Sequence, residues 1–155
     1  MWHSARVQNG ELLVTVVTPI GLTLKKSAIS IVLPTTSGQI EVLRGHVPLV
    51  TLLEPGEMRL RDANGREEFF ALGEGFAEVW PDHVTVFSDL AENADTIVIE
   101  ATEEAVRRAQ EMLAASLHLS EDERRAAELA VKENLVKIEI GVRRKNPRPD
   151  EHLTL

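Results

Sequence analysis

Short runs of apolar residues, several of them alternating with polar ones, fill the first 90 residues of the chain, as expected of half-buried β-strands. Pro-Gly and Asn-Gly turn signals separate the runs, and Asn64-Gly65 is typical of a tight hairpin. The runs that predict strands are Leu13–Val17, Ala28–Pro34, Val47–Leu53, Met58–Arg61, Glu67–Leu72, Phe76–Trp80 and Val84–Phe87. Strands of this length and spacing predict an antiparallel β-sandwich or barrel over residues 10–90.

After residue 90 the apolar residues recur at intervals of three and four, which is the period of an α-helix. No glycine or proline occurs in residues 83–139, so nothing in this stretch breaks a helix. Ser120 and Glu123 have the spacing of a capping box, which marks the start of a second helix. Gly141 is the predicted end of that helix. The pattern therefore predicts an antiparallel helical hairpin.

The two patterns divide the chain into a β-sandwich domain over residues 10–90, a helical hairpin domain over residues 101–141 and a flexible tail over residues 142–155. The apolar stripe of the hairpin is mostly alanine, and isolated helices of this length are marginally stable in water. The stability of the hairpin must come from the surface against which it packs. Two interpretations stay open: a movable module, or a permanent cap on the sandwich.

The composition excludes several classes of partner and chemistry. A net charge of −8 and a pI near 5.1 argue against nucleic acid as a partner, because phosphate binding needs a basic surface. The absence of cysteine excludes disulfides, thiolate catalysis and thiol-ligated metals. No apolar run reaches the roughly 20 residues of a membrane span, and the first residues do not resemble a secretory signal. We expect a soluble, cytoplasmic chain that can work beside a membrane.

Residues with catalytic or metal-binding potential are few and poorly spaced for chemistry. The five histidines do not form any common ligand pair, and neither a Gly-x-Ser-x-Gly nucleophile nor a phosphate-binding loop occurs. Glu67-Glu68 and Glu103-Glu104 are adjacent pairs, whose side chains point apart on a strand or helix and suit a solvated face. We expect no catalytic residue, no metal and no cofactor.

Three stretches of the chain, in order, match motifs that occur together in one known family. Leu13–Pro19 looks like the opening strand of that family. Ile31–Gln39 and Leu43–Leu49 look like its long loop and its Gly-His-x-Pro-Leu signature, and Leu72–Val79 with His83–Val86 looks like its Gly-Gly-Phe-x-Glu-Val and Val-Thr-Val signature. Followed by a helical hairpin, these stretches resemble the epsilon subunit of F-type, rotary ATP synthases.

The resemblance implies a regulatory and coupling subunit without an active site of its own. In that family the sandwich sits at the foot of the central stalk, binds the gamma subunit and rests on the loops of the membrane c-ring, where it helps to couple ion flow to ATP synthesis. The hairpin extends along gamma towards the catalytic head and inhibits ATP hydrolysis. The implied location is peripheral, on the cytoplasmic face of the inner (plasma) membrane, and the isolated chain is expected to be a monomer.

The contact residues of the family carry over to individual positions of this chain. The resemblance places the c-ring contact on the loop formed by Ser37, Gly38, Gln39, Ile40 and Glu41. It places the gamma contact on Thr18 and His46, although the His46 imidazole could instead only hydrogen-bond to nearby backbone. It places the transient contact with the beta subunit of the catalytic head on Lys132, Lys137, Arg143, Arg144 and Lys145. For Lys132 and Lys137 a solvated helix face is the competing interpretation.

Some relatives bind ATP between the folded helices through a motif of the form Ile/Leu-Asp-x-x-Arg-Ala. Alignment on the basic stretch 107–109 puts Val98 at the aspartate position and Ala101 at the arginine position. The groups that would hold ribose and phosphate are therefore missing, and we expect no tight ATP binding.

Two other classes of function stay open when only the residues are considered. A generic β-sandwich binding module with a self-associating hairpin would show the same patterns, and co-purification with a gamma subunit separates it from a motor subunit. A small enzyme would need a cleft with convergent titratable groups, which the fold can test.

Overall fold

Ten β-strands precede two α-helices in a computed structural model that describes residues 10–115 and 118–145. The strands are β1 (Leu12–Thr18), β2 (Gly21–Ala28), β3 (Ser30–Thr35), β4 (Gly38–Leu43), β5 (Leu49–Leu53), β6 (Gly56–Arg61), β7 (Glu67–Leu72), β8 (Gly75–Val79), β9 (His83–Ser88) and β10 (Ala91–Asn93). A 3-10 turn at Ala94–Thr96 leads into α1 (Ile99–Ala115) and α2 (Glu121–Lys145). The chain divides into two compact units, Met1–Glu92 and Asn93–Leu155. The predicted fold, a β-sandwich followed by a helical hairpin, is confirmed.

The strands form one sheet that bends into two layers. Their order is β10-β7-β6-β3-β5-β8-β9-β1-β2, and β4 pairs with β3 beside this path. β3 and β5 pair only at Thr35 and Leu53, so the ladder is nearly interrupted there and the sheet can fold over. β1 and β9 pair in parallel, which the sequence did not predict. The pairs β1–β2, β3–β4, β3–β6, β5–β8, β6–β7 and β8–β9 are antiparallel.

The core lies between the two layers, and the alternation of side chains along each strand supplies it. In β1 the side chains of Leu12, Val14 and Val16 are fully buried, while the residues between them are half-buried. Val84 and Val86 of the parallel neighbour β9 are likewise fully buried. Each such side chain contributes roughly 1.5–3 kcal/mol of transfer free energy on burial.

An ion pair bridges the two ends of the sheet. β2 is the last strand at one end, and β7 is next to last at the other. Nevertheless Lys26 of β2 and Glu68 of β7 form an ion pair. Glu67 of β7 also forms an ion pair with Arg61, in which Arg61 Nη2 lies 3.0 Å from Glu67 Oε1. The two ends of the sheet therefore meet, and the sandwich is a nearly closed barrel.

Three of the strands, β2, β4 and the three-residue β10, were not predicted. β2 is an edge strand in which only the last residue, Ala28, is fully buried, and its central Lys25 and Lys26 obscure the alternation. β4 was placed in the long loop that the resemblance implies, and in the structure all its residues but Ile40 and Val42 are exposed. A strand that buries few large apolar side chains lacks the alternating sequence pattern by which strands are recognised.

The second helix begins with the predicted capping box. Ser120 Oγ accepts a hydrogen bond from the backbone N–H of Glu123 at 3.2 Å. In return, the Glu123 carboxylate accepts from the Ser120 backbone N–H at 2.9 Å. Two of the amide groups that have no partner within the helix are satisfied in this way. The capping box is confirmed.

The prediction that this helix stops at Gly141 was wrong, because α2 continues to Lys145. Gly141 is buried, and a Cβ atom at this position would lie 3.4 Å from side-chain carbons of both Ile97 and Ile99. The missing side chain thus lets the start of the helical unit pack closely against α2. The predicted flexible tail is wrong for residues 142–145, and residues 146–155 lie outside the described part of the chain.

Acidification is expected to weaken the start of α2 through Glu123. Hydrogen bonds from the Ser120 backbone and hydroxyl hold the pKa of Glu123 below its ordinary value of 4.5. A carboxylate with a lowered pKa in the folded state stabilises the fold above the unfolded value, and this contribution is lost as the pH falls through the folded value. Helical circular dichroism at 222 nm should therefore decline more below pH 4.5 in the wild type than in Glu123→Gln, which keeps an acceptor but does not titrate.

The control for this titration is Glu121→Gln, which removes a neighbouring acid outside the capping box. It should follow the wild-type curve. If Glu123→Gln instead gave the same curve as the wild type, the capping carboxylate would have no part in the pH dependence.

Candidate functional site

The segment predicted to contact the c-ring forms the turn between β3 and β4 and the first half of β4. Thr35 Oγ1 donates to the carbonyl oxygen of Gly38 at 2.5 Å and accepts from the backbone N–H of Ser37 at 3.2 Å. Gly38 has φ of +110°, a conformation that favours glycine. The prediction of a loop is corrected, because Gly38–Glu41 belong to β4.

The side chains of this segment present a small polar surface. Ser37, Gly38, Gln39 and Glu41 are exposed, whereas Ile40 is half-buried and packs against the core. Gln39 and Glu41 are two residues apart on one strand, so they share the outer face. The segment can therefore offer an amide and a carboxylate to a polar partner, with Ile40 anchoring the strand beneath them.

Thr18 lies at the turn between β1 and β2. It pairs with Gly21, whose φ is +117°, and its Oγ1 lies 3.1 Å from Oγ1 of Thr23. The side chain is half-buried. A hydroxyl that already has a partner within the turn is held in a fixed orientation at the strand end.

His46 lies in the connection between β4 and β5, where it hydrogen-bonds to neighbouring backbone. Its Nδ1 lies 2.7 Å from the carbonyl oxygen of Val47, and its backbone N–H donates to the carbonyl oxygen of Leu43 at 3.1 Å. Because a carbonyl oxygen only accepts, Nδ1 carries the proton. This is the backbone hydrogen bond that stood as the alternative to a gamma contact, and it orients a half-buried ring.

Thr18 and His46 lie at opposite ends of the sandwich. Leu13 pairs with His83 in parallel register, and Thr18 follows five residues later, roughly 17 Å along the strand. His46 lies at the Leu13 end, because its neighbour Gly45 donates a backbone hydrogen bond to the carbonyl oxygen of Pro81 at 2.7 Å, just before β9 begins. The two predicted gamma contacts therefore do not form one compact cluster.

The turn between β3 and β4 lies at the same end of the sandwich as Thr18. The backbone N–H of Thr36 donates to the carbonyl oxygen of Leu52 at 3.1 Å, and the adjacent Leu53 pairs with Gly75. Gly75 in turn pairs with Ser88, the last residue of β9. The structure thus brings the predicted c-ring segment and one predicted gamma contact to one end, and places His46 at the other.

An open cavity of about 310 Å³ lies at the Thr18 end. Val17, Thr18 and the rings of Phe76 and Phe87 line it, and the two rings stack with centroids 4.7 Å apart. Asp89 is the titratable residue of its lining. The hydroxyls of Thr18 and Ser88 also line the cavity, but both hydrogen-bond to neighbouring groups of the sandwich, so this apolar cavity has the character of a binding surface for side chains.

Two exposed clusters of charged residues shift the pKa of a carboxylate. His83 Nδ1 lies 2.6 Å from Asp82 Oδ1, and this hydrogen bond holds the pKa of Asp82 below its usual 3.8. On α1, hydrogen bonds from Arg107 and then Arg108 hold the pKa of Glu104 below its usual 4.5. Exposed pairs of this kind have little energetic weight. They act on local geometry and give no sign of acid–base chemistry.

The basic residues predicted to meet the catalytic head do not form one stripe on α2. These residues are Lys132, Lys137, Arg143, Arg144 and Lys145. At about 100° per residue, Lys132 and Arg143 share one face of the helix, and Lys137 and Arg144 share another. The last three occupy the final turn, where they stabilise the negative end of the helix dipole. Lys132, Lys137, Arg143 and Arg144 each make at least one interaction within the protein.

Arg144 Nε lies 4.0 Å from Asp95 Oδ1, so the end of α2 is tied to the 3-10 turn that precedes α1.

Within residues 10–115 and 118–145, no group of three or more His, Cys, Asp or Glu side chains could hold a metal ion. In the same part of the chain, no helix has the length and apolar character needed to cross a bilayer.

Comparison with known proteins identifies the family. A family model described as ATP synthase, Delta/Epsilon chain, beta-sandwich domain, matches residues 11–94. The ATP synthase epsilon chain of Bacillus pumilus (strain SAFR-032) is 35% identical over 128 residues, which cover 83% of this chain and 95% of that protein. The epsilon chain of Alkalilimnicola ehrlichii is 45% identical over 84 residues, covering 54% of this chain and 60% of that protein.

The fold has a counterpart among solved structures as well. A chain in the structure of the Euglena gracilis mitochondrial ATP synthase, OSCP/F1/c-ring, aligns with a TM-score of 0.68 over 88% of this chain and 84% of that one. At 20% sequence identity this match shows the fold alone. Together with the family match over the sandwich and the relative aligned over most of both chains, it leads to one conclusion: this chain belongs to the ATP synthase epsilon chain family.

Proposed function

We propose that the chain is a non-catalytic central-stalk subunit that couples ion flow through the membrane c-ring to ATP synthesis and restrains ATP hydrolysis. The observation that carries the proposal is the alignment with the Bacillus pumilus epsilon chain, which extends over 95% of that protein. The alignment is longer than the sandwich, so it also takes in part of the helical unit. This match leaves no specific reason to prefer a generic binding module.

The sandwich, residues 10–90, is the docking body in this proposal. Its β3–β4 turn meets the polar loops of the c-ring through Ser37, Gln39 and Glu41, and the gamma subunit binds at Thr18 and His46. The short, hydrogen-bonded turn supports a contact that must transmit torque, because few of its backbone dihedrals are free to move. The chain would stay on the cytoplasmic face of the membrane through these contacts, as a peripheral subunit.

The helical hairpin, residues 101–141 with the last turn of α2, is the regulatory part. Its basic residues would meet the beta subunit of the catalytic head when the hairpin extends along gamma. Of the five candidates, Arg143, Arg144 and Lys145 are the strongest, because they are consecutive and lie at one end of a helix. A cluster can hold a partner where separate exposed pairs contribute little.

Removal of the hairpin tests the regulatory part directly. A chain that ends at Val98, just before α1, should be assembled with the remaining ATP synthase subunits, and ATP hydrolysis should be measured. Hydrolysis is expected to rise by about twofold or more, which is the rise when the inhibited state is at least half populated. A matched full-length variant replaces Arg143, Arg144 and Lys145 with glutamine and should show part of this rise.

The control replaces Lys132 and Lys137 with glutamine, for which a smaller change is expected. Unchanged hydrolysis in the truncated enzyme would remove the inhibitory role and leave the coupling role of the sandwich intact. If central stalks purified from the assembled ATP synthase did not contain this chain, that result would contradict the coupling role too.

A further inference from the structure

The buried residues of the helical unit are concentrated at one end of the hairpin. In the part of this unit that the structure describes they are Ala94, Ile97, Thr102, Val106, Ile140 and Gly141. None of the described residues 107–115 and 118–139 is buried. Packing must hold these helices together, because isolated helices of this kind are marginally stable in water. The hairpin is therefore held most firmly where α1 begins and α2 ends.

The covalent connection between the two helices lies at the opposite end. α1 ends at Ala115 and α2 begins at Glu121, so the chain itself keeps these two ends together. At the buried end the helices are joined by noncovalent contacts alone. Separation of the hairpin must therefore take place at the buried end.

A close contact joins the two sides of the buried end. A Cβ atom on Gly141 would lie 3.4 Å from both Ile97 Cγ2 and Ile99 Cγ1, so the space beside this glycine holds a methyl group at most. About one turn further along α2, Arg144 Nε lies 4.0 Å from Asp95 Oδ1. We call Ile97, Ile99, Gly141 and the Asp95–Arg144 pair the base latch.

Hydrogen bonds give the segment before α1 a fixed shape. Asn93 Oδ1 accepts from the backbone N–H of Asp95 at 2.9 Å, and Thr96 Oγ1 donates to the carbonyl oxygen of Asn93 at 2.8 Å. The backbone N–H of Ile97 donates to the carbonyl oxygen of Ala94 at 3.4 Å. Ile97 belongs to neither helix, but these bonds hold it in position against α2.

We infer that the base latch controls the opening of the helical hairpin: while it is closed α2 stays on α1, and its release frees the end of α2. The contact of the two isoleucines with Gly141 carries most of the effect, because an exposed ion pair such as Asp95–Arg144 contributes little. The base latch lies wholly within the helical unit. It therefore acts in the same way whichever surface that unit meets, and it goes beyond the proposed function.

Hydrogen–deuterium exchange of the purified full-length chain, followed by mass spectrometry, tests the base latch. A free helix frays at its end, so we expect residues 137–144 to exchange more slowly than residues 125–132 only if the latch holds them. Ile97→Ala should raise the exchange rate of residues 137–144 about tenfold or more, because it removes one side of the contact. Residues 125–132 should respond less, since none of them is buried.

Gly141→Leu should raise the exchange of residues 137–144 by a similar factor, because the larger side chain does not fit beside Ile97 and Ile99. The matched control is Val142→Leu, which enlarges the neighbouring side chain, 44% exposed, and should exchange as the wild type does. Unchanged exchange of the sandwich strands in each variant shows that the chain folds.

Wild-type exchange of residues 137–144 in both Ile97→Ala and Gly141→Leu would overturn the inference. So would equal effects of Gly141→Leu and Val142→Leu, which would show that the contact with the isoleucines has no special weight. Exchange that is faster at residues 137–144 than at residues 125–132 in the wild type would show a frayed end and overturn it too. If Gly141→Leu does not fold, Ile97→Ala decides.

Discussion

Replacement of Gly75 with alanine is expected to lower the free energy of unfolding of the sandwich by at least about 3 kcal/mol. A Cβ atom at this position would lie 1.9 Å from the carbonyl oxygen of Phe87, 2.8 Å from its carbonyl carbon and 2.9 Å from Cα of Ser88. All three neighbours are backbone atoms of β9, the strand that pairs with β8. They cannot rotate away as a side chain would, so the two strands must separate.

The measurement is urea denaturation followed by tryptophan fluorescence, in a Trp2→Phe background in which Trp80 reports on the sandwich. Gly65→Ala is the control. Gly65 has φ of +79° but nothing within 4 Å of its Cβ position, so that change introduces backbone strain of about 1 kcal/mol and no collision. Equal denaturation midpoints for Gly75→Ala and the wild type would show that β8 and β9 leave room for a side chain at this position.

Truncation of Ile31 to alanine is expected to lower the same free energy by about 3–4 kcal/mol. Ile31 is fully buried in β3, and this strand pairs with β4, β5 and β6. Because Val42 of β4 and Leu60 of β6 pair with Ile31 on its two sides, the core cannot collapse into the space that the side chain leaves. A cavity therefore adds its own cost to the lost transfer free energy.

The control for this truncation is Ile20→Ala, the same chemical change at a side chain that is 97% exposed. It should move the urea midpoint hardly at all, whereas Ile31→Ala should move it strongly at an unchanged slope. Similar shifts for the two variants would mean that Ile31 does not pack in a rigid core.

The sequence predicted the strands that alternate and missed those that do not. Met58–Arg61 alternates strictly and is β6, and Asn64-Gly65 forms the hairpin to β7, with the Gly65 N–H bonded to the carbonyl oxygen of Asp62. β2 and β4 bury few large apolar side chains, so the sequence shows no alternating pattern that would predict them. Gly141 was interpreted as a helix end because glycine often follows the last helical residue. In the structure the glycine instead makes room for Ile97 and Ile99, which are about 40 residues earlier in the chain.

The family resemblance proposed individual contact residues, but it could not give their arrangement. Resemblance named Thr18 and His46, but their separation follows from the parallel pairing of β1 with β9, strands about 70 residues apart in the sequence. The exposed side chains of Leu22, Leu52 and Phe76 were not predicted to share a surface, because they come from different strands and only the pairing register joins them. One signal was present: Val47–Leu53 is apolar at nearly every position, which indicates a strand covered on both faces.

The closure of the barrel by Lys26 and Glu68 has a mechanical consequence. Their side chains are 39% and 23% exposed, and within the described residues the terminal strands β2 and β10 have no ladder of amides between them. Elsewhere around the barrel, neighbouring strands resist shear through ladders of backbone hydrogen bonds, apart from the single bridge between β3 and β5. Along this seam the Lys26–Glu68 ion pair contributes at most about 1 kcal/mol, and dissolved salt weakens it further. The barrel therefore has a built-in line of elastic give, where it can twist and recover without tearing a strand from its neighbour.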